Sequence, residues 1–448
     1  MRPHRRTSAG GIMTISPEGT TLDPWYEHYA SRTAGLSASE VRALFAVASR
    51  PEVVSLAGGM PAVSALPLDT IAGSMERVMR DRGPAALQYG SGQGTPELRE
   101  QILEVMALEG IRAGVDDVVV TTGSQQALDL VAKLFLDPGD IVLAESPSYV
   151  GAMGIFRSYQ AEVAHIPMDA EGMIPEALSE RIASLRAAGR SIKVLYLIPN
   201  FQNPAGVTLS SARRLAIIDI ARSEGILIIE DNPYGLLWFD RPAPAAMRSV
   251  EDDGIVYLGS FSKTLAPGFR VGWALAPHAI REKLVLAAEA SILSPSSLNQ
   301  MIISDYLDTA DWRGQIDVFR GLYRERRDAM LDALEQHVPD LSWEVPNGGF
   351  YVWVTLTEGL DAKAMLPRAV KELVAYTPGT GFYADGQGRQ NIRLAFCYPQ
   401  PAEIREGIRR LATVVRGEQE LLQTFSATGP IPAVAYDPHV ASPPPNIG

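Results

Sequence analysis

Cysteine is almost missing from this chain: Cys397 is the only one in 448 residues. No intrachain disulfide can form, and a reducing, cytoplasmic setting is the reading that follows. Basic residues are short as well, with 40 Lys and Arg against 52 Asp and Glu and a net charge of −12. A nucleic-acid binder carries the opposite excess, because it has to neutralise phosphates, so no nucleic-acid partner is expected. No apolar run approaches the length of a membrane span, which removes a membrane partner from consideration. Internal repeats at solenoid period are missing too. The segment Met1–Ile12 is basic and small, with no apolar stretch after it that could form a secretory signal, and it reads as a loose tail. Thr424–Gly448, rich in proline and alanine and nearly free of charge, reads as a second one.

What the chain does contain is an ordinary globular balance of 46% hydrophobic and 21% charged residues, in a length that one large and one smaller lobe can absorb. Short apolar runs alternate with amphipathic ones. Val118–Val120, Ile141–Ala144, Lys193–Ile198, Ile226–Ile229 and Ile255–Leu258 read as buried strands, while Gln125–Leu136 and Ala212–Ser223 read as helices. This rhythm predicts a mainly parallel sheet covered by helices on both faces. Ligands of such sheets sit near the carboxyl ends of the strands. Ser124, Tyr149, Asn200 with Asn203, Asp231 with Tyr234, and Lys263 each follow a strand end. Nearer the amino terminus, Ser37–Ala48 reads as a capped helix carrying Arg42. Val53–Leu56 is strand-like and runs into a bend at Gly58-Gly59, either a plain turn or a close approach of backbone to a ligand. The Gly-rich run Leu87–Leu98 leads past Tyr89 into a helix with Thr95 as a possible cap and Pro96 first.

The densest chemistry lies in Leu258–Trp273, L-G-S-F-S-K-T-L-A-P-G-F-R-V-G-W. A lysine held at a strand end can be desolvated, which lowers its pKa and frees a neutral amine for Schiff-base chemistry. Ser260, Ser262 and Arg270 could hold a phosphate dianion beside it, hydroxyls as donors and guanidinium as clamp. Gly123-Ser124 at a strand-to-helix junction offers either a second anion cradle or merely a capped helix. Asp231, ending an I-L-I-I-E strand, could face a protonated ring nitrogen or could simply cap the following turn. Tyr234 and Asn203 could donate to a ring hydroxylate, and Tyr149 is either a stacking face or core. A reactive lysine, an anion cradle and a ring-facing acid together describe a pyridoxal 5'-phosphate site.

The runs T-G-S-Q-Q-A-L-D-L, S-P-S-Y-V-G-A, P-N-F-Q-N-P-A-G, E-D-N-P-Y-G and G-S-F-S-K-T-L-A-P-G-F-R-V-G-W, in this order, resemble the motif set of class I/II aminotransferases, fold type I pyridoxal-phosphate enzymes. The likeness spans about Arg32 to Ala412 and is greatest to the 2-aminoadipate and aromatic amino-acid aminotransferase subgroup. It implies an α/β fold with a mainly parallel seven-stranded sheet in a large domain at 66–315. A smaller α/β domain would come from both ends of the chain, at 25–65 and 316–418, with tails at 1–24 and 419–448.

The resemblance also assigns roles. Lys263 would be the Schiff-base lysine that also moves the substrate α-proton, Asp231 the ring-nitrogen partner, Asn203 and Tyr234 the ring-oxygen donors, and Tyr149 the stacking aromatic. Gly123, Ser124, Gln125, Ser260, Ser262 and Arg270 would form the phosphate cup. Tyr89 would reach the phosphate of a neighbouring subunit, which implies a homodimer with shared sites. Arg393 would grip the substrate α-carboxylate, with Asn203 and Gly59 beside it, and Arg42 would meet an acidic substrate side chain. The activity implied is ping-pong transfer of an amino group between an L-amino acid, of glutamate, 2-aminoadipate or aromatic/branched type, and a 2-oxo acid. No metal is implied. Other pyridoxal-phosphate reactions, β-elimination or decarboxylation, use the same cradle. A MocR-like regulator shares the motifs behind a DNA-binding domain, for which about thirty upstream residues leave no room.

Overall fold

The computed structural model describes residues 23, 25–36 and 50–427. The expected helix Ser37–Ala48 with its Arg42, and nearly all of the amino-terminal tail, lie outside these residues. So does the carboxyl-terminal tail beyond 427.

Among the described residues fourteen strands order the fold: β1 (Val54–Ser55), β2 (Val118–Thr121), β3 (Ile141–Ser146), β4 (Glu162–Asp169), β5 (Gly172–Met173), β6 (Ile192–Leu197), β7 (Leu227–Asp231), β8 (Ile255–Ser260), β9 (Gly272–Leu275), β10 (Ser342–Trp343), β11 (Tyr351–Thr355), β12 (Val374–Ala375), β13 (Thr377–Pro378) and β14 (Asn391–Ala395). The large sheet has eight strands in the order β2-β9-β8-β7-β6-β3-β4-β5. Strands β4, β3, β6, β7 and β8 are mutually parallel, and β9 runs against both β8 and β2. The sheet has one strand more than the expected seven, and β4, β5 and β9 are not among the segments read as strands; the two-residue β5 folds back onto β4 through a turn that needs Gly172 at φ +93°. It is too short to carry a periodic signal of its own.

These segments form strands because they are runs of Val, Ile and Leu whose both faces can be buried. One face packs on helices 124–135 and 150–158 through Leu128, Val131 and Phe156, and the other on helices 175–187 and 211–224 through Leu178, Ile182, Ile217 and Ile218. Because β2, β3, β6, β7 and β8 all point the same way, the residues that follow them converge on one edge. The helix after β2 begins at Ser124 itself, with Gly123 as the cap residue at φ +82°, so Ser124 is not the cap. Thr95 does stand at the start of helix 96–107, but its hydroxyl makes no capping bond and is buried without a partner.

The smaller unit pairs β10-β11-β14-β13 in an antiparallel sheet, and β1 with β12 in a parallel one, which joins residues 54–55 to 374–375. Helices 312–337 and 401–427 pack on each other behind it. The second of these continues through the expected start of a proline-rich tail at 419: Glu418 pairs with Arg368, and Leu422 packs on the core. The tail boundary therefore falls later than expected, because this end of the helix is held by tertiary contacts.

Arg214 ties the active edge together from behind. Buried to 3% exposure, it donates to the carbonyls of Leu209, Pro199, Pro244 and Ala245 and to Asn200 Oδ1. Arg214→Met should leave these acceptors unsatisfied and cost on the order of 3 kcal/mol. Urea denaturation checks this; an unchanged midpoint would contradict it.

Candidate active site

A cavity of about 400 Å³ opens where the large sheet's carboxyl edge meets the smaller unit. Its walls include Gly59, Ser124, Gln125, Tyr149, Asn203, Asp231, Tyr234, Lys263, Tyr351 and Arg393. An adjoining lobe of about 140 Å³ adds Ser260, Ser262 and Arg270. The structure thus gathers almost all of the sequence-predicted residues around one space. Gly123 backs the lobe, since a Cβ there would lie 2.5 Å from Arg270 Nη2. Tyr89 does not join them: it is 79% exposed and turned outward. Arg42 lies outside the described residues.

Lys263 follows β8, and its Nζ donates to the carbonyl of Gly59 at 3.1 Å. Burial lowers its pKa below the usual ammonium range, and the nearby guanidiniums of Arg393 and Arg270 push the same way. A neutral amine is thereby within reach. Gly59 must stay a glycine, because a Cβ there would sit 1.9 Å from the Tyr351 hydroxyl.

Asp231, the last residue of β7, is 6% exposed. Its Oδ2 accepts from the Tyr196 hydroxyl at 2.8 Å, while Oδ1 is buried with no hydrogen-bond partner among the described residues. Burial raises this carboxyl to about 6, against the opposing pull of the Tyr196 bond. Tyr149 closes over Gly151, whose missing Cβ leaves the room its ring needs, and burial followed by the nearness of Asp231 raises its phenol to about 12. Tyr234 is buried, with its hydroxyl 3.5 Å from that of Tyr351.

The lobe is built for an anion. Ser260 and Ser262 share a hydrogen bond at 2.8 Å. Arg270, in a left-handed conformation at φ +51°, bonds the Thr122 carbonyl at 3.2 Å and leaves other donors free. Ser124 and Gln125 bring the first turn of a helix, whose amides lack intrahelical acceptors, to the same space.

Arg393, on β14, has the opposite charge requirement to Asp231. It is 3% exposed, held between the rings of Tyr351 at 4.2 Å and Phe382 at 4.9 Å. Nη1 donates to Asn203 Oδ1 and Nη2 to the Ala57 carbonyl, both at 2.8 Å, Nη2 also reaches Thr377 Oγ1 at 3.4 Å, and Nε has no partner among the described residues. Among the described residues no carboxylate pairs with it. A buried guanidinium without a counter-ion asks for a carboxylate from outside the chain.

Two tyrosines in this arrangement were not singled out from sequence as site residues. Tyr196 and Tyr351 sit in apolar strands, in V-L-Y-L and F-Y-V-W-V, where a ring alone would do. The hydroxyl was the available signal, because a buried tyrosine oxygen has to find a partner. Glu145, also unremarked, is buried behind Ile198 and Gln202, and burial raises it to about 8.

A desolvated lysine, an acid with one unclaimed oxygen and an anion lobe around a single cavity define a fold type I pyridoxal-phosphate enzyme. The donor set fits that cofactor: Asp231 Oδ1 lacks a partner that a ring N–H would supply, and the Gly123–Arg270 lobe suits a phosphate. The chain belongs to the aminotransferase class I and II family, whose model matches residues 52–411. It is 41% identical over 90% of its length to aromatic-amino-acid aminotransferase 1 of Thermococcus litoralis, covering 97% of that protein. Among solved structures it is similar to the kynurenine aminotransferase of Pyrococcus horikoshii in complex with PMP, with a TM-score of 0.85, 38% identity and coverage of 89% and 99% of the two chains. It also resembles the alpha-aminoadipate aminotransferase of Thermus thermophilus complexed with N-(5'-phosphopyridoxyl)-L-leucine, with a TM-score of 0.81, 36% identity and coverage of 89% and 99%. The protein is a pyridoxal-phosphate-dependent aminotransferase.

The raised Asp231 carboxyl has a stability consequence. The folded apoprotein holds this proton more tightly than the unfolded chain, so the acid costs nothing below the ordinary 3.8, and its cost grows until pH passes about 6. A shift of this size corresponds to about 3 kcal/mol. Asp231→Asn apoprotein should therefore be more stable than wild type by up to that amount at pH 8, with the difference vanishing near pH 4. Urea denaturation at the two pH values measures it, and equal stabilities at pH 8 would refute the sign.

Proposed function

We propose that the enzyme moves the amino group of an L-amino acid of glutamate, 2-aminoadipate or aromatic/branched type to a 2-oxo acid by a ping-pong route, in a cytoplasmic homodimer. The observation that carries this reading is Arg393, a buried guanidinium with no carboxylate partner among the described residues, in the same cavity as Lys263. In this reading Arg393 receives the α-carboxylate common to amino acids and 2-oxo acids. The guanidinium supplies its positive charge and the Nη1 hydrogen that Asn203 leaves unused, and the rings of Tyr351 and Phe382 hold its plane.

Bound pyridoxal phosphate supplies an aldehyde that takes up the amino group and a ring that draws electrons from the α-carbon. Asp231 holds the ring nitrogen's proton through its unclaimed Oδ1. Asn203, whose Oδ1 is already used by Arg393, keeps its amide hydrogens for the ring oxygen, with Tyr234 as a second donor. Tyr149 stacks, and Ser124, Gln125, Ser260, Ser262 and Arg270 hold the phosphate. Lys263 Nζ, whose pKa burial lowers, takes the proton from the substrate α-carbon.

The wall beside Arg393 favours the substrate class. Met60, Tyr149, Ile198 and Tyr351 offer apolar and aromatic surface to a side chain. For an acidic side chain Arg42 is the candidate partner. The relatives named for aromatic amino acids, kynurenine and alpha-aminoadipate support a site that takes both kinds. The outward Tyr89 supports the homodimer, since it is free to reach a second copy's phosphate lobe. The lone free thiol, buried Cys397, is compatible with the cytoplasm.

Lys263→Ala should abolish transfer from glutamate to 2-oxo acids, and borohydride treatment should no longer fix the cofactor covalently to the chain. Mass spectrometry of the denatured protein reads this directly, and a cofactor adduct on the variant would refute the role. Arg393→Gln should lower kcat/KM for every amino donor by roughly a hundredfold or more, whatever its side chain. A loss confined to acidic donors would assign Arg393 to side-chain recognition instead.

A further inference from the structure

Tyr196 stands in β6 among Val194, Leu195 and Leu197, all buried, at a position where phenylalanine would satisfy packing. Its ring meets Phe156 edge-on, with centroids 5.5 Å apart and an interplanar angle of 74°. In the β6–β7 register Tyr196 lies opposite Ile229, so Asp231, two residues further along, is its diagonal neighbour on the same face. The hydroxyl, fully buried, donates to Asp231 Oδ2 at 2.8 Å. No other hydrogen bond is made by this carboxylate among the described residues. Glu145 from β3 and Tyr149 from the loop after it also face the pair, and neither is bonded to Tyr196 or Asp231.

We propose that Tyr196 is a positioning residue for the transamination: its hydroxyl claims Asp231 Oδ2, keeps the carboxylate ionised in a dry setting, and leaves Oδ1 as the one oxygen free for the cofactor's ring nitrogen. The inference rests on the reading of Asp231 as the ring-nitrogen partner. A carboxylate in this setting is disfavoured by desolvation, and without a donor it would take up a proton and cease to stabilise a charged ring. An O–H donor aimed at an ionised oxygen is among the stronger hydrogen bonds a protein makes, and being part of a packed ring on the adjacent strand it needs little ordering. Tyr196 acts through Asp231 and touches neither substrate nor cofactor in this account.

The test compares pyridoxal phosphate with an analogue carrying carbon in place of the ring nitrogen, using reconstituted wild-type and Tyr196→Phe enzyme. Phenylalanine keeps the ring against Phe156, so the variant retains its packing. Wild type should bind the natural cofactor at least about tenfold more tightly than the analogue, and the variant should lose about tenfold of that preference by weakening on the natural cofactor alone. In steady state, kcat should fall about tenfold while KM for the amino donor, governed by Arg393, stays within about twofold. Equal weakening toward both cofactors, or a preference unchanged from wild type, would overturn the proposal and leave Tyr196 as packing. Wild type that fails to distinguish the two cofactors would overturn the proposal together with the assignment of Asp231.

Discussion

Ionisable groups buried around one cavity without pairing with one another are what the rest of this structure serves. Among the described residues Asp231 is held out of water with one oxygen unclaimed, Arg393 has no carboxylate, and Lys263 has one carbonyl as hydrogen-bond acceptor for its amine. Each would be more stable exposed or paired. They persist because Asp231 and Lys263 are set by strands of the large sheet and Arg393 by β14 of the smaller one, whose pairing gives their backbones no freedom to bring them together. Binding supplies from outside what folding withholds: a ring nitrogen, a carboxylate and a carbonyl carbon.

The sheet does this through direction and order. Strands β2, β3, β6, β7 and β8 deliver their following residues to one edge, and the smaller unit closes the cavity with Arg393 and Tyr351. Supporting groups then fix each side chain: Tyr196 for Asp231, Asn203 and the Ala57 carbonyl for Arg393, the Gly59 carbonyl for Lys263. Glycines at 59 and 123 are where side chains approach backbone too closely for a Cβ. Arg214, on the far side of the loop that bears Asn200 and Asn203, converts five acceptors of irregular backbone and side chain into a rigid support.

Much of this was legible in the sequence because a buried parallel strand announces itself as an apolar run, and a polar residue just past its end has a place to go. Lys263, Asp231 and Ser124 could be read in that way. What pattern could not give was contact across elements. That Tyr196 meets Asp231 depends on the β6–β7 register, which neither strand's own composition contains. That Tyr351 stacks on Arg393 depends on β11 pairing with β14, Trp353 opposite Arg393. Among the elements not read from the sequence, which include β4 and β9, the two-residue β5 and the last turns of helix 401–427 are held by tertiary contacts and no local periodicity.

The central claim is that Asp231 keeps the cofactor's ring nitrogen protonated while Lys263 works at the other end of the same ring. The most direct measurement is the nitrogen-15 chemical shift of ring-labelled pyridoxal phosphate bound to the wild-type enzyme, followed from pH 6 to pH 9. The account predicts a shift typical of a protonated pyridine across that range in the wild type, and one typical of an unprotonated ring when Asn replaces Asp231. An unprotonated ring in the wild type at neutral pH would contradict it.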